Sequence, residues 1–339
     1  MEVLIASPLE AEHVAAIDAA DPRIQVMYSP ELLPEARFAA DHEGRHRDLN
    51  DAELRRWRDM LASAEVTFGL DWWAPQAMRE NCPRLRWIQG TSAGMGDALR
   101  RTGLSVDGLV LTTAAGVHAV PLAEFVLAGA LYFVKGLPEL RARQADRRWE
   151  RSTTASLAGR RALVVGLGAI GREVTRVFAA MGVEVWGAGR QGRDYDVPGM
   201  RGQVSYDRLA AALPDTDVLV LCVPHTPETE GMIGAAELRL LRPGAIIVNV
   251  GRGAAIEEEA LIDALRDRHV GGAALDVFAT EPLPVESPLW KMDNVLISPH
   301  SAATLTEENA RITEIFVDNL RRWLDGRPLR NRYHAGRGY

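Results

Sequence analysis

An arginine, a glutamate and a histidine, each standing shortly past an apolar run, are the residues of this chain best placed to do chemistry. Arg252 follows Ile246–Val250 in a Gly251-Arg252-Gly253 turn. Glu281 comes after Ala274-Leu275-Asp276-Val277-Phe278, and His300 follows Val295–Ser298 and Pro299. In open α/β sheets ligands gather outside the carboxyl ends of the strands, so three such residues can meet at one mouth. A guanidinium grips a carboxylate with paired hydrogen bonds and polarises a neighbouring carbonyl. An imidazole supplies or removes the proton on an oxygen. A carboxylate accepting from the other ring nitrogen orients the imidazole and favours its protonated form. The trio suits hydride transfer between a nicotinamide and a 2-keto or 2-hydroxy acid. Each member also has a plainer reading: a surface arginine in a glycine turn, an exposed loop acid, a core histidine at a strand end.

Hydride transfer needs a dinucleotide, and the stretch RALVVGLGAIGREVTRVFAAMGVEVWGAGR between Arg161 and Arg190 predicts a site for one. Leu163-Val164-Val165 reads as a buried strand. Gly166, Gly168 and Gly171 then fall at the G-x-G-x-x-G spacing, directly before a helical pattern carried by Val174, Val177 and Phe178. Val183-Glu184-Val185-Trp186 closes the unit as a second strand. Three glycines serve a tight turn, close approach of the backbone to a pyrophosphate, and close packing of helix on strand. The positive end of the helix beginning near Ala169 and Ile170 would hold the diphosphate.

At the end of the second strand, NAD sites place an acid that bonds the ribose 2′-OH. Here Gly189 stands at that place, Arg190 follows at once, and Arg193 comes soon after. A carboxylate would repel a 2′-phosphate, whereas a guanidinium binds one in bidentate fashion. The expectation is therefore NADP(H) in preference to NAD(H), with NAD(H) still possible. The alternative is a solvated loop, Gln191-Gly192-Arg193-Asp194, whose arginines serve only solubility.

The elements that must position these residues follow from the rest of the chain. At 339 residues, 47% hydrophobic and 25% charged, it is long enough for two ordinary globular domains. A net charge of −7 without any basic block gives no general attraction for nucleic acid or membrane. Two distant cysteines, Cys82 and Cys222, lack metal-type spacing and are expected to be reduced thiols; the N-terminus lacks a signal-peptide pattern. A cytoplasmic location is the default, with no metal. Strands are predicted at Glu2–Ser7, Ile24–Tyr28, Val66–Gly69, Leu85–Gln89 and Leu109–Thr112, with helices such as Leu9–Ala20 and Asp51–Ala62 between them. The charged stretch Pro34–Asn50 is expected to be a mobile, solvated loop despite His42 and His46. One long helix is predicted from Pro121 to about Trp149, the alternative being one core helix followed by an exposed one. Further strands at Val218–Val223, Ile246–Val250, Gly272–Leu275 and Val295–Ser298 continue the unit begun at Leu163, and a last helix covers Thr306–Leu324.

The order GLGAIG, CVPHTPET, NVGRG, LDVFATEPLP, SPHSAATL resembles the D-isomer-specific 2-hydroxyacid dehydrogenase family, strongly from Gly116 to Thr304. The resemblance implies an α/β chain of two Rossmann-like, doubly wound parallel-sheet domains, the first discontinuous and flavodoxin-like. Residues 1–113 and 302–339 would form the substrate-binding domain and 114–301 the dinucleotide-binding one, with Gly116-Val117-His118 as the hinge. Arg252 would bind substrate, Glu281 would partner the histidine, and His300 would be the acid/base. Cofactor contacts would come from Gly166, Gly168, Ala169, Ile170, Gly171, Arg190 and Arg193, and from Cys222, Val223 and Pro224 on the adenosine side. Thr229, Val250, Gly251, Asp276 and Ser301 would add to them, Asp276 holding the carboxamide.

Trp87-Ile88-Gln89 followed by Ser92, Ala93 and Gly94 looks like the family's substrate-carboxylate loop. Trp72, in Asp71-Trp72-Trp73, occupies a loop that often touches substrate; ordinary packing is its alternative. Family members are typically homodimers joined through the cofactor domain. Glutamate at 281, in place of the glutamine of formate dehydrogenases, argues against formate oxidation, and no regulatory domain is expected after the last helix. The leading expectation is a reductase of small 2-keto acids such as glyoxylate or hydroxypyruvate. Two alternatives keep the same trio: a non-catalytic, NAD(H)-sensing corepressor-like protein, and an enzyme of phosphite-dehydrogenase type.

Overall fold

A computed structural model describes residues 1–335, which form two compact units, Met1–His118 with the chain from Thr304 on, and Ala119–Ala303. The first unit runs β1 (Glu2–Ile5), α1 (Ala11–Asp18), β2 (Gln25–Met27), α2 (Asp51–Ser63), β3 (Val66–Phe68), α3 (Met78–Asn81), β4 (Trp87–Gln89), α4 (Met95–Thr102) and β5 (Val110–Thr112). The second runs α5 (Ala119–Val134), α6 (Leu137–Ala145), β6 (Arg161–Val165), α7 (Ala169–Ala180), β7 (Glu184–Gly189), β8 (Met200–Ser205), β9 (Val218–Leu221), α8 (Ala235–Leu240), β10 (Ala245–Asn249), α9 (Glu258–Arg266), β11 (Val270–Leu275) and β12 (Val295–Ile297). The chain then returns to the first unit as α10 (Glu308–Leu324).

Both sheets are wholly parallel and doubly wound, as expected. The first has the order β2-β1-β3-β4-β5, so its winding reverses between β1 and β3. The second has the order β12-β11-β10-β9-β6-β7-β8 and reverses between β6 and β9. Strands covered on both faces read as continuous apolar runs, and Val218–Leu221 and Ala245–Asn249 are buried at every position. Alternate residues feed two cores. Leu163, Val165, Leu219 and Leu221 face one helical layer, while Val164, Val218 and Val220 face Val174 and Phe178 of α7 on the other. In the first unit, α2 is fixed at its start by a capping box in which Asn50 Oδ1 accepts the N–H groups of Ala52 and Glu53, both at 3.0 Å. Such a cap stabilises a helix by about 1 kcal/mol.

Three local expectations change. The long helix predicted from Pro121 to Trp149 is two helices, α5 and α6, bent by 63°. Gly136 between them adopts a left-handed φ of +62°, and Pro138 restarts the chain in the first turn of α6. A strand absent from the sequence reading, β8, lies at the sheet edge, paired in parallel with β7. Its run Met-Arg-Gly-Gln-Val-Ser carries little apolar signal, so the pairing comes from the neighbouring strand. The loop predicted to be solvated and mobile between residues 34 and 50 is tied down at its centre. Buried Asp41 accepts from the Arg37 guanidinium at 2.6 and 3.0 Å, and His42 Nδ1 meets Ser7 Oγ at 2.9 Å. Among the described residues no single helix is long and apolar enough to cross a membrane, and no cluster of three or more His, Cys, Asp or Glu is arranged for a metal ion.

Candidate active site

The second unit's chemistry gathers at the carboxyl ends of β6, β9, β10, β11 and β12. Gly166 leaves β6 with φ +97°, in the left-handed region that favours glycine, and a Cβ there would stand 2.8 Å from the Cys222 carbonyl oxygen past β9. A Cβ on Gly171 would overlap the Gly166 carbonyl, so α7 sits directly against the turn. Gly168 differs: it is exposed and a Cβ there would meet nothing within 4 Å. Two glycines are thus required by the protein's own packing, whereas the third opens the loop toward solvent. No side chain caps the start of α7. An open glycine before an uncapped helix N-terminus fits a diphosphate.

Around that cradle, Thr229 Oγ1 donates to the Pro224 carbonyl at 2.6 Å and accepts the Thr226 N–H at 3.0 Å, fixing the turn that follows Cys222 and Val223. Burial pushes the Cys222 thiol up to about 12, so it is inert at neutral pH. Val250 N–H bonds to the Leu221 carbonyl at 3.1 Å, and Gly251 lies so close to Val223 that a Cβ would stand 2.7 Å from its oxygen. Arg190 leaves β7 with its Nε 3.6 Å from Glu228. Arg193 lies over the Tyr195 ring, its Cζ 4.9 Å from the centroid.

The predicted trio comes together. His300 Nδ1 is 2.7 Å from Glu281 Oε2, and Glu281 Oε1 accepts the Phe278 N–H at 3.0 Å. An ionised carboxylate only accepts, so the Nδ1 proton points at Glu281 and Nε2 is the nitrogen left to exchange a proton elsewhere. His300 has φ +52°, an uncommon conformation for a residue with a side chain. It is held there by its own N–H, which donates to the Asp276 carbonyl at 2.9 Å. Asp276 is buried, and its Oδ1 accepts from Ser298 Oγ at 2.6 Å and from the N–H groups of Ser301 and Ala302, both at 2.9 Å. One carboxylate oxygen therefore organises the whole turn around the histidine.

Arg252 sits on the neighbouring loop. Asn249 shapes that loop at both sides, accepting the Gly251 N–H at 3.0 Å and donating to the Arg252 carbonyl at 3.1 Å. A Cβ on Gly253 would overlap the backbone of Phe278, so the loops after β10 and β11 interlock and bring Arg252 beside the pair.

The electrostatics follow from this geometry. The hydrogen bond to Glu281 raises the His300 pKa above the ordinary imidazole value, against burial and the opposing charge of Arg252. Burial pushes the Glu281 carboxyl up, but the bonds from His300 and the Phe278 N–H outweigh it and leave it lowered. Each partner thus favours the charged form of the other, beside a cation able to hold an anionic substrate.

The remaining predicted substrate residues belong to the first unit, at the ends of β3 and β4. Ser92 accepts the Ala114 N–H on its carbonyl at 3.0 Å, Ala93 follows it, and Gly94 stands at the start of α4. Trp72 packs edge-on to Trp73 with centroids 5.4 Å apart, and its indole nitrogen is buried without a hydrogen-bond partner. Asp71 accepts from the Trp57 indole at 3.0 Å. His46 is exposed and stacks on Trp73. Sequence reading missed Ser298, Asn249 and Tyr195; the first two flank motif residues and were findable as polar groups in strand-end turns, while nothing local marked the tyrosine.

Comparison with known proteins gives the family. The sequence pattern of the family described as D-isomer specific 2-hydroxyacid dehydrogenase, NAD binding domain, matches residues 127–302. The chain is 32% identical over 251 residues to D-3-phosphoglycerate dehydrogenase of Archaeoglobus fulgidus, a match covering 68% of this chain and 46% of that one, so it spans about half the length of that relative. It is 31% identical over 277 residues to glyoxylate/hydroxypyruvate reductase B of Pectobacterium carotovorum, covering 80% of this chain and 86% of the relative. Among solved structures, a D-isomer specific 2-hydroxyacid dehydrogenase from Xanthobacter autotrophicus Py2, in complex with NADPH and MES, superposes with a TM-score of 0.80 at 29% identity over 100% of this chain and 99% of that one. The NADPH-dependent glyoxylate/hydroxypyruvate reductase of Sinorhizobium meliloti, in complex with NADP and sulfate, gives 0.79 at 25% identity over the same shares.

Proposed function

From a chain that belongs to the D-isomer specific 2-hydroxyacid dehydrogenase family, we propose an NADP(H)-preferring reductase of small 2-keto acids, of the glyoxylate or hydroxypyruvate kind. The observation that carries this reading is the Glu281–His300 pair at 2.7 Å with the charge of Arg252 beside it. The bound nicotinamide supplies or accepts the hydride. Arg252 holds the substrate carboxylate and draws electron density from the keto oxygen. His300 presents its Nε2 proton to that oxygen as the alkoxide forms, and Glu281 stabilises the imidazolium that donates it. In the oxidative direction neutral His300 removes the same proton. Asp276, with its three donors, holds the histidine loop still, and it would hold the cofactor's carboxamide, as the family resemblance implies. Ser92, Ala93, Gly94 and Trp72 of the first unit are assigned to the substrate.

The cofactor preference rests on Gly189 standing where an acid would repel a 2′-phosphate, and on Arg190 and Arg193 following it. The dehydrogenase in complex with NADPH and the reductase in complex with NADP named above support it. A homodimer, as the family resemblance implies, belongs to the same proposal and is tested by light scattering.

The test of function is steady-state turnover of the full chain on a panel of 2-keto acids with NADPH and NADH. The expected result is reduction of at least one small keto acid, with the higher kcat/KM on NADPH. A chain that binds NADPH yet reduces none of the panel overturns the catalytic reading. A higher kcat/KM with NADH overturns the preference.

A further inference from the structure

We propose that Tyr195 is a specificity-determining residue that keeps an acid out of the ribose position, by filling with its ring the space a side chain at residue 189 would occupy. The inference rests on the NADP(H) preference proposed above and explains how the fold enforces it. Gly189 ends β7 and is buried. A Cβ there would overlap the Tyr195 ring, standing 2.8 Å from Cζ and 3.0 Å from Cδ2. Real Cβ atoms essentially never approach other atoms under 3.0 Å, so no carboxylate is compatible with the ring in place.

The ring cannot easily step aside. Tyr195 is only 8% exposed, and its hydroxyl accepts the Arg190 N–H at 3.2 Å. Its own N–H donates to Gln203 Oε1 on β8 at 3.0 Å, and Gln203 Nε2 donates to the Arg193 carbonyl at 3.1 Å. From α7, the Arg172 guanidinium donates to the Asp196 carbonyl at 2.7 Å. The segment from 190 to 197 is therefore pinned by its own tyrosine, by the edge strand and by the helix that begins at the glycine turn. One ring does two things: it excludes the acid at 189, and it braces Arg190 by a hydrogen bond and Arg193 by stacking.

The test is a double-variant cycle read by dissociation constants for NADPH and NADH, from quenching of intrinsic fluorescence in the full chain. Gly189→Asp alone should weaken both cofactors, because the carboxylate meets the ring. Tyr195→Ala alone should weaken NADPH about tenfold, the loss of one braced contact to a charged group, and leave NADH nearly unchanged. Gly189→Asp with Tyr195→Ala should bind NADH at least about tenfold more tightly than Gly189→Asp alone. If Gly189→Asp by itself gains NADH affinity, the ring excludes nothing and the proposal falls. It falls equally if the double variant binds NADH no better than Gly189→Asp alone.

A second cycle holds should the aspartate variants fail to fold. Gly189→Ala should lower Tm with Tyr195 present and be neutral beside Tyr195→Gly; an equal loss in both backgrounds refutes steric exclusion. The unsubstituted chain's own preference between NADPH and NADH tests the underlying reading separately, since the coupling between 189 and 195 is measured whichever cofactor wins.

Discussion

The two sheets share a parallel register and a winding that reverses once, yet their carboxyl edges are finished differently. In the second unit the polar groups at the edge are matched. Asp276 Oδ1 takes three donors, Glu281 divides its oxygens between His300 and Phe278, and Asn249 closes the turn that carries Arg252. The first unit as a whole leaves more of its buried polar groups unmatched. Among the described residues, six buried side-chain polar atoms lack a hydrogen-bond partner, and five of them, on His42, Thr67, Trp72, Asn309 and Thr313, belong to that unit. A buried unmatched polar atom costs about 1–3 kcal/mol. An edge built for fixed chemistry therefore invests in complete networks, since a proton must leave the same atom at the same angle each turnover. At the first unit's edge Trp72 packs edge-on to Trp73, and its indole nitrogen has no hydrogen-bond partner.

The largest expected effect lies on the matched edge. His300→Ala should lower kcat for keto-acid reduction by about 10²–10⁴-fold, with the NADPH dissociation constant within about twofold of the parent. Near-normal turnover would remove the histidine from the mechanism and erase the functional half of the contrast. Arg252→Lys comes next. A point charge cannot reproduce the two-pronged grip, so KM for the keto acid should rise about 10- to 100-fold, the loss of one charge-assisted hydrogen bond. An unchanged KM would count against carboxylate binding there.

Glu281→Gln probes the pair through pH. Because bonding to Glu281 raises the His300 pKa, the donating imidazolium survives above the ordinary imidazole range, and reduction should fail only as pH climbs through that raised value. The glutamine variant should lose activity at lower pH than the parent. A limb at the same pH in both proteins would show that the carboxylate orients the ring without tuning it.

The smallest effect belongs to the other edge. Burial lowers the pKa of His42, whose surroundings include Glu308, Asp41, Glu10 and His118. The unfolded chain then binds this proton more readily, so the stability is present above the ordinary imidazole value of 6.5 and is lost as pH falls through the depressed one. Between pH 7 and pH 5, Tm of the parent should drop by a few degrees more than Tm of His42→Gln, as expected for about 1 kcal/mol. Parallel curves would show that this histidine does not titrate with folding.

Much of this was legible in the chain because it is written locally. Apolar runs such as Val218–Leu221, the glycine spacing at 166, 168 and 171, and the placement of Arg252, Glu281 and His300 past strands need only neighbouring residues to be read. The misreadings have different causes. The edge strand at Met200–Ser205 has weak apolar content and is held by pairing with β7. His42 looked solvated because its charged neighbours are, whereas its partner Ser7 lies 35 positions away. The bend between α5 and α6 was marked by Gly136 and Pro138, but continuous helical composition on both sides masked it.

By itself the sequence determined the two parallel sheets, the dinucleotide turn and the identity of the three groups beside it, since periodicity, glycine spacing and strand-end position are properties of short segments. Only the tertiary structure decided that Asp276 serves as the hub of the histidine loop, that Gly168 opens to solvent while Gly166 and Gly171 are locked, and that Gly189 faces the ring of Tyr195. Those facts depend on which backbone passes within 3 Å of which, and close approach between separate segments is set by the packing of whole layers, which no short stretch of sequence contains.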